Sequence, residues 1–343
     1  MTAAFRAGTP LTAEREDIAL PLVSARGLTK DFGGDRGLFG RAETPLRAVA
    51  EVSLDIARGE VLGVVGESGS GKSTLGRLLL RLIEPTAGSI TFDGHDVSAM
   101  VPRDLRRFRR HMQMIFQDPY ASLNARMTVG DALIESLMLH RDLRRSEAKD
   151  AAASLLSKVG LTREHLGRFP RAFSGGQRQR VAIARALASQ PGFIVADEPV
   201  SALDVSIQAE VINLLQDLQR ELGLSLMFIS HDLSVVEVMA DRVMVLYLGR
   251  VMETAPTEAL FGRPAHPYTA ILMQAAPGAK RHGERLLATG EIPSPRNPPS
   301  GCVFRTRCPF AIAACGEGGR PALREIAPGH FKACIRDDIA LSQ

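Results

Sequence analysis

The stretch Gly66-Glu67-Ser68-Gly69-Ser70-Gly71-Lys72-Ser73-Thr74 decides how the rest of the chain is read. It follows the apolar run Val61 to Val65 and precedes the helical pattern Leu75 to Ile83. Every defined position of G-x-x-x-x-G-K-[ST] is filled, in the strand-then-helix context that the motif requires. Glycines at 66, 69 and 71 let the backbone curl so that successive N–H groups point inward at a phosphate, and the helix start adds its positive end. Lys72 then reaches the β- and γ-phosphates of a nucleotide, and the Ser73 hydroxyl ligates Mg²⁺.

A phosphate loop needs a second, acidic anchor for Mg²⁺ at the end of a neighbouring strand. Asp197 closes the strand-like run Phe193-Ile194-Val195-Ala196 and meets that need. Glu198 follows it directly, placed to accept a proton from, or orient, the water that attacks the γ-phosphate. Downstream of the loop, Leu75, Leu78, Leu79, Leu82 and Ile83 fall on one helical face, with Pro85 and Gly88 as its stop. Upstream, Leu20 to Arg26 and Val49 to Ile56 read as strands. Phe32 lies between them, before a Gly-rich loop, either as a core aromatic or as a platform for adenine.

Met112 to Phe116 is a short strand, after which strand-like runs stop until Phe193. The intervening block reads as an inserted helical unit, with helices at Val129 to Leu139 and Ala148 to Val159. The run Asp104 to Arg110 reads as a solvated helix face rather than a nucleic-acid patch. Within the block, Phe173-Ser174-Gly175-Gly176-Gln177 precedes a helix and forms a second anion-binding start. One γ-phosphate and two candidate loops suggest that Ser174, Gly175 and Gly176 serve a nucleotide held by a second subunit. A long amphipathic helix from Ile207 to Leu222 and strands at Ser225 to Ile229 and Arg242 to Leu248 complete a mostly parallel sheet with helices on its faces.

The 343 residues allow two or three domains, and 5% aromatic residues with no Trp suit an α/β protein. The formal net charge of +4 permits a bias toward anionic partners without demanding one. No apolar run approaches the roughly 18 residues of a membrane span. Acidic and basic residues at positions 14–17 interrupt any signal-peptide core. Residues 1–17 read as a flexible leader, and the texture changes again from Pro256, where a small appended domain is expected to begin.

Taken together, Gly66 to Thr74, Gln117, Phe173 to Gln177, Phe193 to Glu198, Ser201-Ala202-Leu203-Asp204 and His231 resemble the nucleotide-binding subunit of an ATP-binding cassette (ABC) transporter. The resemblance implies a P-loop NTPase (RecA-like) core over 18–255 with a helical signature subdomain at about 118–190. It also implies a dimer that clamps two ATP molecules head to tail, each nucleotide between one subunit's phosphate loop and the other's Ser174 to Gln177 stretch. Carried onto matching positions, Glu198 is the catalytic base, and His231 holds the γ-phosphate and the attacking water. Gln117 touches Mg²⁺ and links the site to the membrane partner, and Asp204 bridges the dimer. Phe173 stands where the family more often has Leu.

A narrower resemblance, to the oligopeptide/dipeptide importers, rests on Gly37 to Arg41, Gln117 to Asn124, His266-Pro267-Tyr268-Thr269, Gly301 to Phe304, Arg307-Cys308-Pro309 and Gly329-His330-Phe331. Ala125 replaces a usual Pro. Relatives in this branch also serve nickel and glutathione uptake. This resemblance implies two transmembrane permease subunits, an extracytoplasmic binding protein, a second ATPase that is usually a paralogue, and a place on the cytoplasmic face of the inner membrane. A soluble ABC ATPase acting on nucleic acid would need a long coiled coil or two cassettes, and the chain shows neither pattern. A redox protein with merely regulatory ATP is disfavoured by the intact set from Lys72 to His231.

Cys302, Cys308, Cys315 and Cys334 are the only cysteines, spaced C-x5-C-x6-C-x18-C in a C-terminal domain expected over 256–343. In a reducing compartment such clustering favours a metal over disulfides. The C-x2-C knuckle of structural zinc sites is missing. Four thiolates suit a [4Fe–4S] cluster, which some relatives with this tail carry, ahead of zinc or free thiols.

Overall fold

The computed structural model describes residues 20–33, 44–118, 123–141, 143–275, 286–339 and 341. The expected leader at 1–17, Gly37 to Arg41 and residues 119–122 of the Gln117 to Asn124 stretch lie outside the described residues.

Strands β1 (Val23–Phe32), β2 (Leu46–Ile56), β4 (Ala87–Phe92) and β5 (His95–Asp96) form an antiparallel sheet in the order β2-β1-β4-β5. A second, eight-stranded sheet runs β11-β12-β10-β9-β3-β8-β7-β6. Its five central and edge strands β9 (Arg242–Tyr247), β3 (Val61–Val65), β8 (Ser225–Ile229), β7 (Phe193–Asp197) and β6 (Met112–Ile115) are parallel neighbours. All residues of β3, β7 and β8 are buried. That is why these strands read as continuous apolar runs rather than as alternation: helices or a second sheet cover both faces.

The phosphate-loop helix, Lys72–Leu79, lies between the two sheets. Leu75, Leu78 and Leu79 pack with Leu28 and Val49 from the antiparallel sheet and with Val195 and Met227 from the parallel one. The helix is shorter than its periodicity predicts. Leu80 caps it and Arg81 turns to φ 47, so Leu82 falls outside and is 41% exposed.

The block between β6 and β7 is helical, with Val129–Arg141, Arg145–Lys158 and Gly175–Leu187. Its core side chains Leu133, Leu137, Leu156 and Val181 belong to one cluster with Phe228 and Val61 of the sheet. Helix Val205–Leu222 is ended by Gly223 at φ 63, as its position past an amphipathic run leads one to expect. Strands β4 and β5 and the hairpin strand β10 (Arg250–Pro256) are absent from the sequence reading.

The C-terminal region does not stand apart from the cassette. Strands β11 (Arg324–Ala327) and β12 (His330–Lys332) extend the large sheet through β10. Tyr268, Val303 and Phe304 lie in the same apolar cluster as Val65 and Tyr247. Glu253 on β10, fully buried, binds the ring of His330 at 2.7 Å and the backbone N–H groups of Ala265 and His266 at 2.7 and 2.9 Å. A buried carboxylate must have partners of this kind, and here they fasten the C-terminal strands to the core.

Candidate nucleotide site

The phosphate loop leaves the end of β3 wedged between backbones. Gly66 has φ 148, and a Cβ there would sit 2.2 Å from the Leu246 carbonyl of β9. Gly71 has φ 103, and its Cβ would lie 2.3 Å from the carbonyl of Ala48 on β2. Only glycine meets both demands. Gly249 N–H binds the Ser70 carbonyl at 2.8 Å and closes the loop against the β9–β10 turn.

Lys72 is buried, and its Nζ donates to the carbonyls of Gly66 and Glu67 at 2.7 and 3.0 Å. Burial pulls its pKa below the usual lysine value, while Glu198, Asp197 and Glu67 favour the charged form. The ammonium is thus held on the loop it serves. Ser73 Oγ donates to Asp197 Oδ1 at 2.6 Å. Asp197 is 2% exposed, and burial raises its carboxyl pKa against the opposing Ser73 hydrogen bond. A hydroxyl and a carboxylate side by side next to a phosphate cradle are the oxygen donors that a magnesium ion takes, so the residues present fit that ion.

Glu198 is held in the left-handed region at φ 47. Its N–H donates to the Ile229 carbonyl at 3.0 Å, and its own carbonyl accepts from Ser201 N–H and Oγ at 3.3 and 3.1 Å. Such backbone strain persists where the surroundings over-determine it, and it concentrates at functional positions. The result is a carboxylate aimed between two partners: Gln117 Nε2 donates to Glu198 Oε2 at 3.0 Å, and His231 Nδ1 stands 3.3 Å from the same oxygen. Residues from the ends of β6, β7 and β8 therefore meet beside the loop that follows β3.

Ser174 caps the helix Gly175–Leu187. Gln177 N–H reaches its Oγ at 3.3 Å, and Gln177 Oε1 accepts from its N–H at 3.1 Å. Gly175 and Gly176 pack toward Leu203 and Ile207. Ser174, Gly175 and Asp204 are exposed, as is Val205 at 82%. The site thus divides into two groups of residues: one gathered around Lys72, the other facing outward from the helical block. Phe32, read as a core aromatic or an adenine platform, is not in the core. It is 41% exposed, with Lys30 Nζ 5.1 Å from its ring centre.

Two residues that sequence reasoning quoted only within the C-terminal motifs touch the loop. Tyr268 Oη accepts from Glu67 N–H at 2.9 Å, and Arg307 donates to both Glu67 carboxylate oxygens at 2.7 and 3.0 Å. Arg307 adjoins Cys308, but nothing in the sequence links it to Glu67.

The four cysteines line one cavity with His266, Phe304 and Phe310. Burial pushes the Cys302 and Cys308 thiols up to about 11 and raises that of Cys334 as well. The expected metal site gains no support here: among the described residues no three His, Cys, Asp or Glu side chains are arranged to hold an ion. Cys334 Sγ accepts a hydrogen bond from Arg336 N–H at 3.4 Å.

A Brucella ovis protein named as a peptide import ATP-binding protein is 58% identical to this chain over 321 residues, covering 93% of this chain and 99% of that relative. The chain belongs to the ABC transporter family of ATP-binding proteins. The family model "ABC transporter" matches residues 49–201, and "Oligopeptide/dipeptide transporter, C-terminal region" matches 252–315. The Bacillus subtilis oligopeptide transport ATP-binding protein AppF is 48% identical over 329 residues, 94% of this chain and 99% of its own length. Among solved structures, an ATP-binding cassette in a dimeric post-hydrolysis state bound to ADP and Pi superposes with a TM-score of 0.61 and 29% identity, over 68% of this chain and 98% of that one. No helix of the described residues is long and apolar enough to cross a membrane.

Proposed function

We propose that the chain binds and hydrolyses ATP with Mg²⁺ as one of two paired cassettes, and so energises the import of di- or oligopeptides through a membrane permease. The observation that carries this reading is the meeting of Gln117, Glu198 and His231 beside the Lys72 loop, with Ser73 and Asp197 hydrogen-bonded next to them. In this reading the loop N–H groups and Lys72 hold the phosphates, and Ser73, Asp197 and Gln117 hold the ion. The ion supplies charge neutralisation of the phosphates. Glu198 Oε2 takes the proton of the attacking water, and His231 orients that water and the γ-phosphate.

Ser174, Gly175, Gly176, Gln177 and Asp204 complete the site of a second ATPase, taken to be a paralogue. The exposure of Ser174, Gly175 and Asp204 supports this, as does the dimeric form of the similar cassette. Of the two permease subunits, one docks at the groove beside Gln117, which is lined by Leu82, Met114, Phe116, Leu139 and Arg185. Exposed Leu82, Phe116 and Leu139 there suit an apolar partner. This places the chain on the cytoplasmic face of the cell membrane, served by an extracytoplasmic binding protein, with no nucleic acid involved. The peptide cargo is supported by the names of the relatives and the C-terminal family match. Nickel and glutathione are the alternatives.

The four thiols on one cavity are, by donor chemistry, a soft set suited to a [4Fe–4S] cluster before zinc. Loading would have to displace the thiol protons. Anaerobic purification with iron and sulfide assay checks this, and iron-free protein with intact fold rejects it. For the main reading, the test is purification from membranes by a tag on this chain. A permease pair and a second cassette co-eluting, with peptide-stimulated phosphate release, is the expected result. Recovery of the chain alone, with no membrane component, would contradict it.

A further inference from the structure

The C-terminal region holds the phosphate loop at Glu67. Its carbonyl accepts from Lys72 Nζ at 3.0 Å, its N–H donates to Tyr268 Oη at 2.9 Å, and its carboxylate takes a two-pronged contact from Arg307 at 2.7 and 3.0 Å. The contacts of Tyr268 and Arg307 come from the C-terminal region. Arg307 is 9% exposed and lies 5.8 Å from the centre of the Tyr247 ring and 6.0 Å from that of Phe304, with its Nη1 3.4 Å from Tyr247 Oη. Tyr247, Tyr268 and Phe304 meet in tilted and edge-to-face contacts, ring centres 4.8 to 5.3 Å apart, and form a stiff apolar seat under the guanidinium. The Glu67 carboxylate, first among the neighbours, keeps Arg307 firmly in its charged form.

We infer that Arg307 is a positioning residue for ATP binding: it neutralises Glu67 and turns its carboxylate away from the triphosphate, so that the C-terminal region sets the affinity of the phosphate loop. A carboxylate on a loop that receives a polyanion is adverse to binding unless it is paired. The planar, bidentate guanidinium fork on a packed seat is the pairing that fixes its direction as well as its charge. Losing one partner of a half-buried pair leaves the other charge uncompensated, here within the loop itself.

The inference rests on the loop binding ATP, which wild-type binding of a fluorescent ATP analogue, lost in Lys72→Ala, establishes separately. The test measures the Kd of that analogue with Mg²⁺, together with KM and kcat, in full-length protein. Arg307→Met is expected to raise Kd and KM about tenfold, with kcat at saturating ATP within about twofold, a change worth about 1.4 kcal/mol. Glu67→Gln/Arg307→Met, which removes both charges, is expected to return to within about threefold of wild type. Arg307→Lys keeps the charge on a flexible stem and is expected to fall between wild type and Arg307→Met. A purely structural role for Arg307 would lower the melting temperature of Arg307→Met and of the double variant alike and would not be rescued by Glu67→Gln. An unchanged Kd in Arg307→Met, a double variant no better than the single one, or a lysine variant as impaired as methionine overturns the inference.

Discussion

Replacing Glu198 by Gln separates chemistry from binding at this site more cleanly than any other change. The side chain is 17% exposed, and the amide is nearly isosteric with the carboxylate, so packing is kept. The left-handed φ of 47 and its ties to Ile229 and Ser201 are backbone features that Gln inherits without added strain. A rotated amide still offers an oxygen to Gln117 Nε2, which now lies 3.0 Å from Glu198 Oε2. What disappears is the proton acceptor and one negative charge. A positioned general base contributes about 10²- to 10⁴-fold, so kcat should fall by that factor, about 3–5 kcal/mol in barrier. ATP affinity should hold or rise, because the lost charge is one that faces the triphosphate site and the largest of those that favour charged Lys72. The assay is phosphate release under saturating ATP, with analogue binding and size-exclusion chromatography in parallel. The expected result is tight binding, almost no turnover and an ATP-trapped dimer. Turnover within tenfold of wild type would refute Glu198 as the base, and weakened binding would refute the geometric argument.

Gly71→Ala combines φ 103 with a 2.3 Å approach to the Ala48 carbonyl, whereas Gly69 at φ 77 has nothing within 4 Å of its Cβ position. Alanine at 69 should cost about 1–2 kcal/mol of conformational strain alone, and alanine at 71 distinctly more, with loss of ATP binding; equal urea midpoints for the two would contradict this. Burial depresses the His266 pKa from 6.5 to about 4. The unfolded chain therefore takes up that proton first as pH falls, and stability is lost from pH 6.5 down to about 4 and levels below. This one ring accounts for about 3 kcal/mol of that slope, so denaturation midpoints of His266→Asn should vary less over the window than those of wild type, and parallel curves would disprove it.

The phosphate loop was legible because its reading is local: nine consecutive residues between a buried strand and a helix carry both its shape and its chemistry. The strand ends holding Asp197, Glu198 and His231 were legible for a related reason, since β7 and β8 are buried on both faces and read as unbroken apolar runs. Strand β11 was not, because all four of its residues are exposed and leave no pattern. The first helix was read too long because Leu82 keeps the period while Arg81 breaks the backbone. The grip of Arg307 on Glu67 joins positions 240 apart in the chain, and an arginine beside a cysteine carries no mark of its distant partner. The change of texture at Pro256 led one to expect a small appended domain, with no sign of how it joins the cassette. It joins through β12 pairing with β10 and Phe304 meeting Tyr247 edge to face, because the small C-terminal segment finds its apolar cover on the cassette.

The most direct measurement of the central claim is ATP turnover per subunit across a dilution series of purified cassettes, run beside a sizing experiment at each concentration. If each hydrolytic centre is assembled from the Lys72 loop of one chain and Ser174 to Gln177 of another, turnover per subunit climbs with concentration and plateaus when dimers dominate. Undiminished turnover at dilutions where only monomers exist would contradict the account.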